Sequence, residues 1–383
     1  MTGHLTVLGG GVAGLAAGFY AVRAGIPVTV LEAGPRIGGL CTTFRRGGYL
    51  FDSGAHRFHG KDPEVTEDLR GLLGEELRPV DRPSRIHDAG RLMTFPFGLP
   101  ELVRHLGIGA VARGAVEVAL ARLLAGSARE SFEAVAVGRY GRTIADRFLL
   151  RYTEKLWGVP PGLLSADATG GRLRGLDLRQ FILRTLTGGR GDRRSTEGRF
   201  FYPSLGIGRI PEVLAEACGA GRVRTGSPVT RVVHDGRRVL AVEAGGETIE
   251  VDRAVSTIPL DILLAVIDPP PPEPVLRLAS RLRWRGLILV ALFLEKEAAV
   301  DAATVYFPDP GIPFNRVTEP RNRSPLLAPP GRTSLVAEIP GDPGRPPWTS
   351  RDGDLARTVL RRLEGVGLVV VAQLIVSIHA RYE

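Results

Sequence analysis

Hydrophobic and polar positions divide this chain into short apolar blocks and longer segments of helical period. Leu5-Thr6-Val7-Leu8 reads as a buried strand, a helical pattern runs from Leu15 to Ala24, and a second strand, Pro27 to Leu31, ends at Glu32. In the middle of the chain the period predicts helices at Leu99–Leu106, Ile108–Ala125, Ser131–Arg139, Thr143–Leu150 and Leu178–Leu186. Strands with turns at His234-Asp235-Gly236 and Gly245-Gly246 follow, the last ending at Thr257. The run Asp268-Pro269-Pro270-Pro271-Pro272-Glu273-Pro274 reads as a stiff connector rather than the interior of a strand or helix. Beyond it, Gly286–Leu294 is a buried strand, Leu335–Ile339 another, and Asp354–Leu363 a helix. Ile108–Ala125 is apolar but carries Arg113, Glu117 and Arg122 at helical spacing. It reads as an amphipathic helix packed against its own domain, with a membrane surface or a partner as the alternatives.

The turn after the first strand is Gly9-Gly10-Gly11-Val12-Ala13-Gly14, a G-x-G-x-x-G with a strand before it, a helix after it and Glu32 at the end of the next strand. Gly9 allows the tight turn, Gly11 lets a pyrophosphate approach the backbone, and Gly14 lets helix and strand pack closely. The anion would sit at the helix N-terminus, where free N–H groups and the macrodipole favour negative charge. Glu32 would accept hydrogen bonds from a ribose diol and argues against a 2′-phosphate. The unit by itself does not separate NAD from FAD. A second glycine-dense turn, Ala33-Gly34-Pro35-Arg36-Ile37-Gly38-Gly39, followed by Phe51-Asp52-Ser53-Gly54-Ala55-His56, favours an extended dinucleotide bearing a tricyclic ring, hence FAD.

Composition changes this picture little. A hydrophobic share of 44% and a charged share of 24% are those of a globular protein. The net charge of +9 invites a nucleic-acid reading, but only Lys61, Lys155 and Lys296 are lysines and the arginines are spread along the chain. The nearest thing to a cluster, Arg190, Arg193, Arg194 and Arg199, lies in a glycine-rich stretch, so no nucleic-acid partner is expected. The arginine excess would still favour an anionic nucleotide through its long-range field. Cys41 and Cys218 give neither a disulfide framework nor a metal-ligand spacing, which points to a reducing, cytoplasmic location and no metal. The N-terminal residues read as a strand rather than a signal peptide, and the longest apolar runs are too short for an integral membrane span.

The run from Val7 to Gly60, with its strand, glycine loop, helix, strand-Glu and Arg-x-Gly-Gly, resembles the N-terminus of the flavin amine oxidase and protoporphyrinogen oxidase superfamily. It is also similar to UDP-galactopyranose mutases. Arg151–Asp167 and Phe200–Ala217 resemble further segments of the same families. The resemblance implies an α/β fold with an α+β second domain: a Rossmann-type FAD/NAD(P)-binding domain with an inserted helical and antiparallel-sheet substrate domain. It places Gly9, Gly11, Val12, Ala13, Gly14, Glu32, Ala33, Arg36, Gly38, Gly39 and Leu40 against the cofactor. Gly54, Ala55 and His56 would lie at the isoalloxazine, the Val229 backbone at the adenine, and Thr257 near the pyrophosphate. The family's late segment, a glycine-rich turn and helix N-terminus at the flavin, finds no match before Glu383, so a truncated sequence is expected.

The expected domains are 1–84 plus 200–265 for FAD, 85–199 as a mainly helical insertion, and 266–383 as the roof sheet and helix of the substrate domain. His56 is the catalytic candidate, as the side chain whose pKa lies closest to neutrality in the turn at the ring; His59 is a weaker one. Arg57, Tyr152, Trp157 and Tyr202 are the substrate-binding candidates, an arginine fork for phosphate and aromatic faces for a ring. Arg151, Lys155 and Arg199 stand beside them, with Trp157 as core and Lys155 as surface the competing reading. Asn315, Arg316 and Glu319 match a roof-sheet stretch without an assigned role. The function expected is an FAD-dependent oxidoreductase moving hydride from an organic substrate to flavin N5. The alternatives are a UDP-galactopyranose mutase-like sugar-nucleotide isomerase, favoured by the stretch Arg91–Leu106, and an FAD-binding protein without turnover. The partner would be a small molecule, a sugar nucleotide or a hydrophobic ring compound.

Overall fold

The computed structural model describes residues 3–95, 99–124, 131–169, 199–369 and 374–382, with only the backbone given at 122, 124 and 374–382. The predicted helix Leu178–Leu186, the arginines at 190, 193 and 194, and residues 96–98 lie outside the described residues. The chain divides into two compact units, Met1–Pro79 with Phe201–Trp284, and Val80–Phe200 with Arg285–Glu383.

The first unit is built on β1 (Leu5–Leu8), α1 (Val12–Arg23) and β2 (Val28–Leu31). Both strands are apolar except at Thr6 and Thr29, because both faces are covered. Their sheet is parallel, with strand 253–256 beside β1 and the two-residue strand Val223–Arg224 beside β2. One face of α1 meets the helix Arg209–Cys218. A Cβ at Gly18 would lie 2.8 Å from Cys218 Sγ, so the two helices approach through a glycine. The strands Val229–His234, Val239–Ala244 and Glu247–Glu250 form an antiparallel layer whose Val232, Val242 and Ala244 pack with Leu8 and Leu31. The proline run differs from the expectation of a bare connector. Ile267–Asp268 pairs in parallel with strand 229–234, and a helix starts at Glu273 because Pro272 supplies the pre-set dihedral of its N-cap. A hairpin the periodicity did not announce, β3 (Thr43–Arg46) with β4 (Tyr49–Asp52), follows the second glycine turn, and helix α2 (Pro63–Leu73) comes after it.

The second unit centres on a seven-stranded sheet, in order 374–382, 286–294, 333–341, 316–318, 304–306, 84–88 and 91–95. Strand Thr333–Gly341 is buried along its whole length and strand Gly286–Leu294 at every position but Leu287. Their core is closed by Leu355, Val359 and Leu363 of the helix Asp352–Gly365. Strand 333–341 starts before the predicted Leu335–Ile339 because its polar first residue is satisfied in the interior, Thr333 Oγ1 donating to Glu319; within the strand Glu338 accepts from Arg316. Helices α3 (Leu99–Leu106), α4 (Ile108–Leu124) and α6 (Arg142–Ala145) contribute to a second core of Ile86, Met93, Leu102, Val118, Ile144 and Phe148; α5 (Phe132–Tyr140) buries Phe132, Val135 and Ala136 with Ala145 and Leu150, and α7 (Arg151–Trp157) follows. Asp88 accepts from Arg147 Nε at 2.9 Å and lies 2.5 Å from His105 Nε2. Burial would raise that carboxyl, but the hydrogen bonds of Arg147 and His105 outweigh it and hold it below the usual range. Among the described residues no helix is long and apolar enough to cross a membrane.

Candidate cofactor site

In the first unit the backbone makes the site. Gly11 caps α1, and among the described residues no side chain satisfies the helix's first N–H groups. The first intrahelical bond runs from Leu15 N to Gly11 O at 2.9 Å, so the amides of Val12, Ala13 and Gly14 precede the ladder and confer positive character on this end. A Cβ on Gly14 would overlap the carbonyl oxygen of Gly9, which explains why this position has no side chain. Thr257 closes the turn from the other side, its Oγ1 donating to Leu8 O at 3.0 Å.

The second glycine turn lies directly against the first. Gly38 N donates to Gly10 O at 2.8 Å, and Gly38 forms a parallel bridge with Gly11. Gly39 has φ +53°, and a Cβ there would stand 3.3 Å from Gly11 Cα. The two loops thus meet backbone to backbone and leave exposed Ala13, Gly39 and Leu40 around the helix end. Glu32 holds the rim, Oε2 accepting from Gly10 N at 2.7 Å and Oε1 from Gly34 N at 2.8 Å. Each oxygen keeps a second lone pair for an outside donor. Ala33 and Arg36 are exposed, the guanidinium of Arg36 lying 6.0 Å from the Phe44 ring centroid.

From Leu40 the site continues through Ser53, whose hydroxyl donates to Leu40 O while its backbone N donates to Thr42 O at 2.8 Å. His56 Nε2 lies 3.4 Å from the same hydroxyl. The His56 turn is thereby tied to the glycine loops, with Gly54 buried and Ala55, His56 and Arg57 half-buried. The organising residue here, not assigned from the sequence, is Asp52. Buried at the end of β4, it accepts from Thr43 Oγ1 at 2.7 Å, Ile207 N at 3.1 Å and Tyr202 OH at 2.5 Å. An acid closing the apolar run Tyr49-Leu50-Phe51 was the available signal, since a buried carboxylate requires partners. Tyr202, expected at the substrate, is instead an interior residue, 1% exposed with its hydroxyl on Asp52. Val229 is half-buried at the start of its strand and pairs with Ala244.

Tyr152 and Trp157 lie in the second unit, apart in the chain's division from Arg57 and Tyr202. Tyr152 packs edge-on to Tyr306, with Asn315 Nδ2 at 3.5 Å from its hydroxyl. The competing reading of Trp157 and Lys155 is reversed. Trp157 is 45% exposed, whereas Lys155 is half-buried and its Nζ donates to Phe307 O at 2.8 Å and Asp309 O at 3.0 Å. Burial lowers its pKa to about 7, with Asp309 raising it in part. Arg316 Nε meets Glu338 Oε2 at 2.5 Å, the two standing directly opposite on paired strands. Burial works against the Arg316 charge, but the Glu338 carboxylate more than restores it, so its pKa lies above the ordinary value. Glu319 holds the interior together, its oxygens accepting from Ala299 N at 2.9 Å, from Val300 N at 2.7 Å and from Thr333. Arg151 pairs with Asp146 and Arg199 with Asp81, both in exposed settings worth little individually.

The family described as flavin containing amine oxidoreductase matches residues 12–372 of the chain. A phytoene dehydrogenase of Streptomyces griseus is 26% identical over 421 residues, 96% of this chain and 80% of that protein. A coproporphyrinogen III oxidase of Bacillus subtilis (strain 168) is 24% identical over 286 residues, 67% of this chain and 60% of that protein. A crystal structure of reduced UDP-galactopyranose mutase superposes with a TM-score of 0.84 at 22% identity, covering 100% of this chain and 83% of that one. The cradle fits the cofactor such a family requires. A Cβ on Gly11 would meet nothing nearer than Gly39 Cα at 4.0 Å, so the helix end stays open for a pyrophosphate, and Glu32 retains acceptor capacity for a ribose diol. The chain belongs to the flavin containing amine oxidoreductase family and is an FAD-dependent oxidoreductase enzyme.

Proposed function

We propose that this enzyme dehydrogenates a hydrophobic, unsaturated small molecule, with FAD held across the two glycine turns of the first unit. The observation that carries the reading is the mutual approach of Gly11 and Gly39 at an uncapped helix end, rimmed by Glu32. The amides of Val12, Ala13 and Gly14 bind the pyrophosphate, and Glu32 accepts from the adenosine ribose. The backbones of Gly38, Gly39 and Leu40 face the ribityl side, Val229 meets the adenine, and Thr257 supports the loop. When bound, FAD supplies the acceptor for a hydride leaving the substrate. His56 stands with Gly54 and Ala55 at the ring, its imidazole fixed through Ser53 to the loop that carries Leu40. It orients the substrate while the surrounding turn excludes water. Arg57, next in the chain, sets the substrate's polar end. The substrate class follows relatives whose names speak of phytoene and coproporphyrinogen. A sugar-nucleotide isomerase is the weaker reading, because the likeness to the mutase is one of fold alone, at 22% identity.

The test is anaerobic reduction of the FAD-loaded protein, followed by its visible absorption. Bleaching by a porphyrinogen or a polyene is the expected result. A flavin that stays oxidised with both, yet isomerises UDP-galactopyranose once reduced by dithionite, would overturn the proposal.

A further inference from the structure

Helix α4 was expected to be amphipathic, with Arg113, Glu117 and Arg122 at helical spacing; among its described side chains the outward face is mainly aliphatic. Its inward arc, Val111, Gly114 and Val118, packs with Ile86, Leu102 and Ile144. At 3.6 residues per turn the exposed positions fall within an arc of roughly 140°. That arc holds Ile108, Ala112, Val116, Leu120 and Leu123, with Arg113 at its edge. Ile108 is 77%, Val116 58%, Leu120 49% and Leu123 81% exposed. Glu117 is turned away from this side, its carboxylate accepting from Thr143 N at 2.7 Å and Thr143 Oγ1 at 2.8 Å. Glu101 of α3 is likewise engaged, with Thr94 N at 2.7 Å. Arg104 on α3 and Arg113 remain exposed.

A helix apolar on both sides needs a second apolar environment, and a continuous exposed aliphatic stripe marks an interaction surface. We propose that the outer face of α4 docks on an anionic lipid surface, lying in the plane of the headgroups. The helix is about 25 Å long and spans no bilayer, so it fits an in-plane helix with its aliphatic side in the acyl boundary and arginines at the phosphates. Charge decides against a second copy of the chain. Two such faces in contact would bring both Arg113 side chains into one interface, while Glu117 and Glu101 are held by Thr143 and Thr94. An anionic headgroup layer neutralises the same residues.

The experiment is sedimentation of the FAD-loaded full chain with vesicles of phosphatidylcholine, with and without an equal share of phosphatidylglycerol. The wild type sediments with the anionic vesicles, and high salt weakens it. L120E/L123E lowers the partition coefficient at least about tenfold, and R113Q lowers it by about fivefold. V116E repeats the effect of the double variant at a third position on the same arc. Far-UV circular dichroism of each variant matches the wild type, since every changed side chain is exposed. No sedimentation of the wild type, or undiminished sedimentation of L120E/L123E, overturns the proposal. So does a dimer that L120E/L123E dissolves in a protein that ignores vesicles.

Discussion

The two units place polar chemistry in opposite ways. In the first, the candidate site is almost entirely backbone: an uncapped helix end, two glycine turns in contact and one carboxylate fixed by amides. In the second, polar side chains sit in a buried sheet and answer one another, Arg316 with Glu338, Thr333 with Glu319, and Lys155 with the carbonyls of Phe307 and Asp309. A backbone site tolerates no added atoms but little depends on which side chains surround it. A side-chain network tolerates no lost partner. The difference separates a surface open to a ligand from an interior built on paired side chains.

Removing one partner from the second unit is the strongest test. Glu338→Ala leaves the Arg316 guanidinium half-buried without its carboxylate, and it costs about 3 kcal/mol of stability in urea unfolding. FAD affinity should hardly change, because the first unit keeps its cradle. If Glu338→Ala lost flavin as readily as stability, the division of labour would fail.

Adding one carbon to the first unit comes next. Gly14→Ala drives a methyl into the Gly9 carbonyl, and the strain is about 2 kcal/mol, read as a lowered Tm together with loss of bound FAD. A variant that folded with full flavin occupancy would show that the loop yields. Glu32→Ala has the opposite profile: FAD affinity falls about tenfold, roughly 1.4 kcal/mol, with a smaller change in the stability of the apoprotein. Isothermal titration of apoprotein with FAD measures it.

A pH dependence tests the second unit in another way. Lys155 titrates near 7 in the fold, whereas an unfolded lysine titrates near about 10.4. Between those values the unfolded chain holds more protons, so stability rises with pH through that window and is lowest below 7. Lys155→Met removes that slope, and Tm measured from pH 7 to 10 for both proteins shows the difference. A parallel pair of curves would mean that Lys155 is charged throughout.

Legibility in the sequence follows the same division. The β1-α1-β2 unit and its glycines could be read because each glycine answers a local steric demand, visible at fixed spacing. Strand 286–294, apolar without interruption, announced its burial on both sides. Asp52, Glu319 and Glu338 could not be read as hubs, since their partners lie 9 to 155, 3 to 20 and 22 positions away. Lys155 and Trp157 exchanged their expected places because α7 turns its lysine, not its tryptophan, toward the 307–309 turn. In α4 an apolar pattern on both sides carries no direction, so the spacing of Arg113 and Glu117 suggested a polar face that tertiary packing does not supply.

Glu32 carries one more consequence. Both of its oxygens are anchored by amides of different loops, so the carboxylate holds a single orientation before any nucleotide arrives. The rotational freedom that a flexible glutamate would surrender on capture, about 0.5–1.5 kcal/mol, is already lost when the chain folds. Encounter with the ribose therefore requires no rearrangement at this residue, and a tighter complex is reached by slow release rather than by fast search.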